Sequence, residues 1–277
     1  MSNMSNNKFK LAMCQIRTEP EVEATLSKVD SMLRDAAENG AHAAMLPEIF
    51  CCQYRSAAFR EFSTRGSEDV VEALRGYAKK YSLLLVGGSV PEVDGGKMYN
   101  TSYVFDRHGE QLAKYRKVHL FDANLPTIRS CESDFFAPGD SLCVFDSEFG
   151  RFGVAICFDV RFPELIRALA MRGAELVFLP AQFTSTTGPR HWEMFMHSRA
   201  MDNQIFMAGC CAATDERIHW RSWGHSMVVD PFSTTLCEGD CGEEVLYSEI
   251  DLSRVDEVRR SLTLIPLLRR DLYPVAE

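Results

Sequence analysis

The chain has no apolar run approaching the roughly 18 residues that a membrane-spanning helix needs. It also lacks a basic stripe. Its net charge is −9, its pI is about 5.4, and its densest cationic pairs, Arg259-Arg260 and Arg269-Arg270, stand isolated. Phosphate backbones demand concentrated positive charge, so nucleic acid is not an expected partner. The beginning, MSNMSNNKFK, has no apolar stretch of the kind a signal peptide carries. Ten cysteines are too sparse for a disulfide scaffold. Two adjacent pairs, Cys51-Cys52 and Cys210-Cys211, suit neither a disulfide framework nor a CxxC metal site. Cys237 and Cys241 come nearest to ligand spacing, but no matching second pair exists, and no metal is expected. These absences point to a reducing cytosol.

Hydrophobic residues make up 46% of 277, enough for one large α/β domain without staples. Short apolar runs alternate with amphipathic stretches. Strands are expected at 10–16, 43–46, 82–90, 151–156, 174–180 and 205–213, the third closed by Pro91. Helices are expected at 21–38, 68–81, 163–172, 191–203 and 253–260. The first carries Val22, Leu26, Val29 and Leu33 on one face and stops at Gly40. Arg107-His108-Gly109 joins 99–106 to 110–117 as a hairpin, and 225–230, 233–238 and 244–251 read as a β-meander. Strand–helix–strand units in both halves imply two mixed sheets with helices outside, in a single domain spanning 1–277. Residues 1–7 are expected to be disordered, and Arg259 onward to form a loose tail.

Chemistry concentrates at strand ends. The apolar run Gly153-Val154-Ala155-Ile156 stops at Cys157, and Pro163 suits the first turn of a following helix. A cysteine at such a turn is exposed beside free backbone N–H groups, where an oxyanion and a thiolate are both favoured. It could equally be a buried small hydrophobe. A nucleophile needs a base, and the familiar one is histidine. His42, His108, His119, His191, His197, His219 and His225 are all open on sequence, which keeps a Cys–His peptidase in play. Glu48 and Lys117 also end strands. A carboxylate can relay the thiol proton and an ammonium can steady an oxyanion. The plainer readings are a turn cap for Glu48 and a solvated lysine for Lys117.

Three segments, MLPEIF at Glu48, YRKVHLFD at Lys117 and GVAICFDVRFPE at Cys157, resemble in order and spacing the signature blocks of the nitrilase (carbon–nitrogen hydrolase) superfamily. The likeness runs from Lys8 to Val275. It implies an α/β fold, a four-layer α-β-β-α sandwich, and a Glu–Lys–Cys triad carried by Glu48, Lys117 and Cys157. It also implies a second glutamate, Glu132 in ESDFFAPGD, that positions the lysine. The stretch FTSTTGPRHWEMFMHSRAMDNQIFMAG and the ending RRDLYPV are similar to the Nit branch, most of all to its omega-amidases. The resemblance therefore implies hydrolysis of the terminal amide of a small dicarboxylate monoamide, such as 2-oxoglutaramate or succinamate, through a thioester and without a cofactor. An amidase acting on deaminated glutathione, a carbamoyl-amine hydrolase with the same triad, and a catalytically silent scaffold are the alternatives. A homodimer or larger homo-oligomer is implied as well.

The far carboxylate of such a substrate calls for a cation. Arg161 is the candidate, against a plain ion pair with Asp159 or Glu164. Phe183, Thr184 and Thr187 follow a strand and are expected to line the pocket, with Phe158 and Tyr54. His191-Trp192-Glu193 reads as a helix-packing or subunit-contact patch, and Trp220, Trp223 and His225 as support behind the site. Three positions depart from the family pattern: Phe158 where Tyr or Trp is usual, Arg190 where a small residue is usual, and the Asp230-Pro231-Phe232-Ser233 turn.

Overall fold

A computed structural model describes residues 7–125, 128–218 and 220–273. The expectations for residues 1–6, for His219 and for Pro274-Val275 lie outside those residues. The first sheet contains β1 (Lys8–Gln15), β2 (Ala43–Met45), β3 (Leu84–Val86), β4 (Val90–Asp94), β5 (Lys97–Phe105) and β6 (Gln111–Arg116). A small hairpin follows, β7 (Asp122–Leu125) with β8 (Ile128–Cys131). The second sheet holds β9 (Cys143–Asp146), β10 (Arg151–Val154), β11 (Leu176–Ala181), β12 (Phe206–Cys211), β13 (Met227–Val229) and β14 (Thr235–Glu238). The last strand, β15 (Glu244–Asp251), returns to the first sheet and pairs antiparallel with β1. In each sheet three central strands run parallel: β1-β2-β3 and β10-β11-β12.

Side-chain alternation along β1 makes the layers. Phe9, Leu11 and Met13 face the second sheet, in a core shared with Phe152, Val154 and Phe178. Ala12 and Cys14 face outward onto helices, with Val29, Leu33, Leu74 and Ala78. Those helices are α1 (Val22–Glu38), α2 (Ser56–Arg65) and α3 (Glu68–Tyr81), while α4 (Pro163–Met171) and α5 (Gly188–Asn203) cover the second sheet. The result is the α-β-β-α sandwich, with α6 (Ser253–Ser261) after β15. Among the described residues no helix is long and apolar enough to cross a membrane.

Several expectations need correction. The meander breaks after β14, because β15 carries its register to β1 in the other sheet rather than to its neighbour in sequence. Pro91 does not close a strand. It lies inside β4, an edge strand, where a missing N–H is tolerated. Helix α2 was not expected, since SAAFREFSTR has a weak apolar stripe, yet Ala58, Phe59 and Phe62 find the core. Asn7 is tied down: its carbonyl accepts the Leu252 N–H at 2.8 Å. Arg259 and Arg260 belong to α6, so the tail begins after Ser261.

Candidate active site

Three chain segments meet at strand ends. Glu48 follows the parallel strand β2, Cys157 follows the parallel strand β10, and Lys117 follows the antiparallel hairpin strand β6. Glu48 sits where the two sheets touch. Its N–H donates to the Ala181 carbonyl at 3.4 Å, and its carbonyl accepts from Gln182 Nε2 at 3.0 Å. Next to it Ile49 has φ +47, a costly conformation for a β-branched residue, and its N–H donates to Ser89 Oγ at 2.9 Å. Gly88 permits this. A Cβ there would lie 2.2 Å from the Pro47 carbonyl, and its own φ is +61.

Cys157 opens a 3₁₀ turn, Cys157–Arg161, with φ +46. The strained elbow is clamped by Asp159, whose buried carboxylate accepts the Ile156 N–H at 2.9 Å. The same carboxylate accepts the Tyr115 hydroxyl at 2.7 Å and the His119 N–H at 3.1 Å, and meets His119 Nδ1 at 2.8 Å. Tyr115 and His119 flank Lys117, so Asp159 ties the cysteine elbow to the lysine segment. A second tie comes from α5, where Arg199 donates to the Val160 and Arg161 carbonyls at 2.8 and 3.3 Å.

Lys117 Nζ donates to Glu48 Oε1 at 2.7 Å and to Glu132 Oε2 at 2.8 Å. Asn100 Nδ2 bridges the same two carboxylates at 2.8 and 3.0 Å, and the Phe121 N–H donates to Glu132 at 2.6 Å. The Gln182 N–H donates to the other Glu48 oxygen at 3.1 Å. All four of Glu48, Lys117, Glu132 and Cys157 are buried. Burial, helped by Glu132 and opposed by Lys117, raises the Glu48 pKa above the ordinary carboxylate value. Burial works against the Lys117 ammonium, but Glu132 and Glu48 outweigh it and hold its pKa above the usual lysine range. Burial and the Glu48 carboxylate, which hydrogen-bonds the thiol, push the Cys157 pKa well up. The resting sulfur is therefore a thiol, not the thiolate expected from a helix start, because burial and Glu48 outweigh the pull of Lys117 and the Gln182 N–H.

Cys157 opens onto a pocket lined also by Phe121, Phe158, Arg161, Gln182, Phe183, Thr184 and Thr187. Five of the six expected lining residues are thus in place. Tyr54 stands to the side, stacked on Trp220 at 4.6 Å, and burial and the charge of Glu132 raise its hydroxyl's pKa. Arg161 makes no ion pair with Asp159 or Glu164. Asp159 is committed elsewhere, and the guanidinium packs against the rings of Phe158, Phe183 and Phe195 at 5.5, 5.1 and 5.1 Å.

Among the described residues, the hydrogen bonds place no histidine on Cys157 or Glu48. His191 meets Arg161 instead, and Trp192 packs inward on Phe183. Trp223 packs under Gly188, where any Cβ would fall 2.2 Å from its ring, and stacks on His225 at 4.3 Å. Asn100, Gln182 and Phe121 were missed. No local signal singles out Asn100, because β5 also carries Lys97, Thr101 and Ser102. Among the described residues no group of three or more His, Cys, Asp or Glu could hold a metal ion.

The carbon-nitrogen hydrolase family profile matches residues 10–260. Omega-amidase NIT2 of Mus musculus is 40% identical over 268 residues, covering 96% of this chain and 97% of that protein. The crystal structure of Saccharomyces cerevisiae Nit3, a member of branch 10 of the nitrilase superfamily, superposes with a TM-score of 0.88 at 33% identity. It covers 98% of this chain and 99% of that one. An amidase from Nesterenkonia, in a mutant showing Michael addition of acrylamide at its active-site cysteine, aligns with a TM-score of 0.77 at 27% identity. It covers 92% of this chain and 98% of that one.

Proposed function

The chain belongs to the carbon–nitrogen hydrolase family and is an amide-acting hydrolase, and from that premise we propose that it is an omega-amidase using Cys157 as nucleophile. The carrying observation is one cavity with two ends. Cys157 beside Glu48 and Lys117 forms one end, and Arg161, a cation without a carboxylate partner among the described residues, forms the other. An amide enters at the sulfur and a carboxylate at the guanidinium, which grips it in a bidentate way. That selects a short acyl chain with an amide at one terminus and a carboxylate near the other.

Glu48 takes the thiol proton as the sulfur attacks the amide carbon. The raised Glu48 pKa suits this exchange, since a carboxylate more basic than usual accepts the thiol proton more readily. The oxyanion is met by Lys117 and by the N–H of Phe158, in the first turn of the 3₁₀ segment where N–H groups have no helical acceptor. Glu48 returns the proton to the nitrogen, the C–N bond breaks and ammonia leaves. A thioester remains on Cys157. Water gives a proton to Glu48 and attacks the thioester, the C–S bond breaks, and the proton returns to sulfur. Glu132 keeps Lys117 charged and in place through their 2.8 Å contact. Phe158, Phe183, Thr184 and Thr187 wall the chain between the two ends.

The test is ammonia release from 2-oxoglutaramate and succinamate, set beside deaminated glutathione and a carbamoyl amine as ratios of kcat/KM. The proposal predicts the highest ratio for the short omega-amides and an acyl adduct on Cys157 by mass spectrometry. No release from any short omega-amide would remove the substrate reading and leave the family. A homodimer is part of the same proposal, because α5 exposes Met194 and Met201 at 56% and 48%. Light scattering that gives a single-chain mass would refute it.

A further inference from the structure

We propose that His191 is a positioning residue for the substrate's carboxylate: it holds the Arg161 guanidinium in the pocket, and it does so only while its imidazole is neutral. This rests on the omega-amidase reading of Arg161 and extends it to a pH-dependent recognition step.

The geometry begins with what Arg161 lacks. Its Nε is buried without a hydrogen-bond partner. Three phenyl rings surround its guanidinium, and rings attract a cation without fixing the rotation of its fork. The directional contact is Nη1 to His191 Nδ1 at 3.1 Å. Arginine can only donate, so Nδ1 must be the lone-pair nitrogen, and the imidazole is the neutral Nε2–H tautomer. A protonated ring has no lone pair to offer and adds a second cation beside Arg161.

The surroundings favour the neutral form. His191 lies in the first turn of α5, its N–H donating to the Thr187 carbonyl at 3.0 Å, where the helix dipole disfavours a cation. From the elbow it faces Arg161; from its own helix it faces Arg190 and the edge of Phe195. Among the described residues no carboxylate pairs with the ring. Burial first, then Arg161 and Arg190, lower the His191 pKa below its ordinary value of 6.5. At neutral pH the ring is therefore the acceptor Arg161 requires, and acid removes it. Arg190, one of the departures from the family pattern, acts on the pocket through this histidine.

The experiment compares succinamate with butyramide, the same chain with a methyl in place of the carboxylate, from pH 5 to pH 8. In the parent protein, KM for succinamate relative to butyramide should climb as pH falls below the ordinary histidine value. His191→Ala should raise KM for succinamate about tenfold at neutral pH, leaving kcat on butyramide and thermal stability near those of the parent. His191→Asn, which keeps an acceptor near the Nδ1 position and cannot titrate, should restore the neutral-pH KM and flatten the acid rise. If Arg161→Gln raises KM for succinamate but His191→Ala does not, the positioning role is refuted and the carboxylate reading survives. If Arg161→Gln leaves the succinamate-to-butyramide ratio unchanged, both fall. An acid rise that persists in His191→Asn overturns the titration.

Discussion

Lys117 Nζ lies 2.7 Å from Glu48 Oε1, and both side chains are 1% exposed. An ammonium and a carboxylate thus meet in a dry site, with Glu132 as a second carboxylate at 2.8 Å. Two negative groups and one positive group share the space beside a neutral thiol. Such a triad persists only because Asn100, Phe121 and Gln182 supply further N–H donors to its oxygens.

Removing the cation should unbalance the cluster. Lys117→Met leaves Glu48 and Glu132 buried and adjacent, and should cost about 3–5 kcal/mol of stability along with all ammonia release. Lys117→Met combined with Glu132→Gln should recover part of the stability and none of the activity. Calorimetric unfolding reads the first and an ammonia assay the second. A Lys117→Met protein as stable as its parent would contradict the triad.

The pH–rate profile follows from the direction of the Glu48 shift. Its pKa is raised above 4.5, so Glu48 takes up its proton at a higher pH than a free carboxylate and then cannot accept one from sulfur. The acid limb of kcat/KM on butyramide, which lacks the carboxylate that His191 and Arg161 serve, should therefore fall above pH 4.5. Lys117 stays charged through the ordinary lysine range, so it should set no alkaline limb near neutrality. An acid limb at or below the free carboxylate value contradicts the assignment.

Cys157 should be reactive only through its base. Its thiol pKa lies well above 9, so iodoacetamide at neutral pH should find little free thiolate. Glu48→Gln should slow alkylation of Cys157 by about tenfold or more, the loss of the base outweighing the lower thiol pKa that removing the Glu48 charge brings, as read by mass spectrometry of the labelled peptide. Equal labelling rates in parent and variant would mean that Glu48 does not take the proton.

Asp159→Asn tests the clamp between the elbow and the lysine segment. An amide cannot accept from Ile156, Tyr115 and both His119 groups as the carboxylate does. The loss should be about 1–3 kcal/mol in stability, with kcat reduced more than KM because the sulfur is displaced from Lys117. A variant that loses stability but keeps kcat would make Asp159 a folding residue alone.

The alternation of apolar runs and amphipathic helices was written along the chain, and so were the site's strand-end positions. Leu33 and Val29 show their helical period, and α3 occupies the expected Glu68–Tyr81 span. Glu48, Lys117 and Cys157 were legible as polar groups that interrupt or follow apolar strands, and the ordered blocks around them added Glu132. These are local signals, fixed by period, turn chemistry and spacing.

What local signals do not hold is who faces whom. β15 joins β1 across more than 200 residues because a register, not a neighbour in sequence, decides the pairing. Asn100 serves two carboxylates that it meets only once the hairpin folds over them. The sequence by itself marked most of the elements, the two-sheet layering and the polar strand ends, but not α2, the β7–β8 hairpin or β9. The tertiary structure alone decided that Cys157 rests as a thiol, that Asp159 is spent on the elbow, and that Arg161 keeps a neutral histidine instead of a carboxylate. Burial and distance set charge states, and neither exists until the two sheets close on each other.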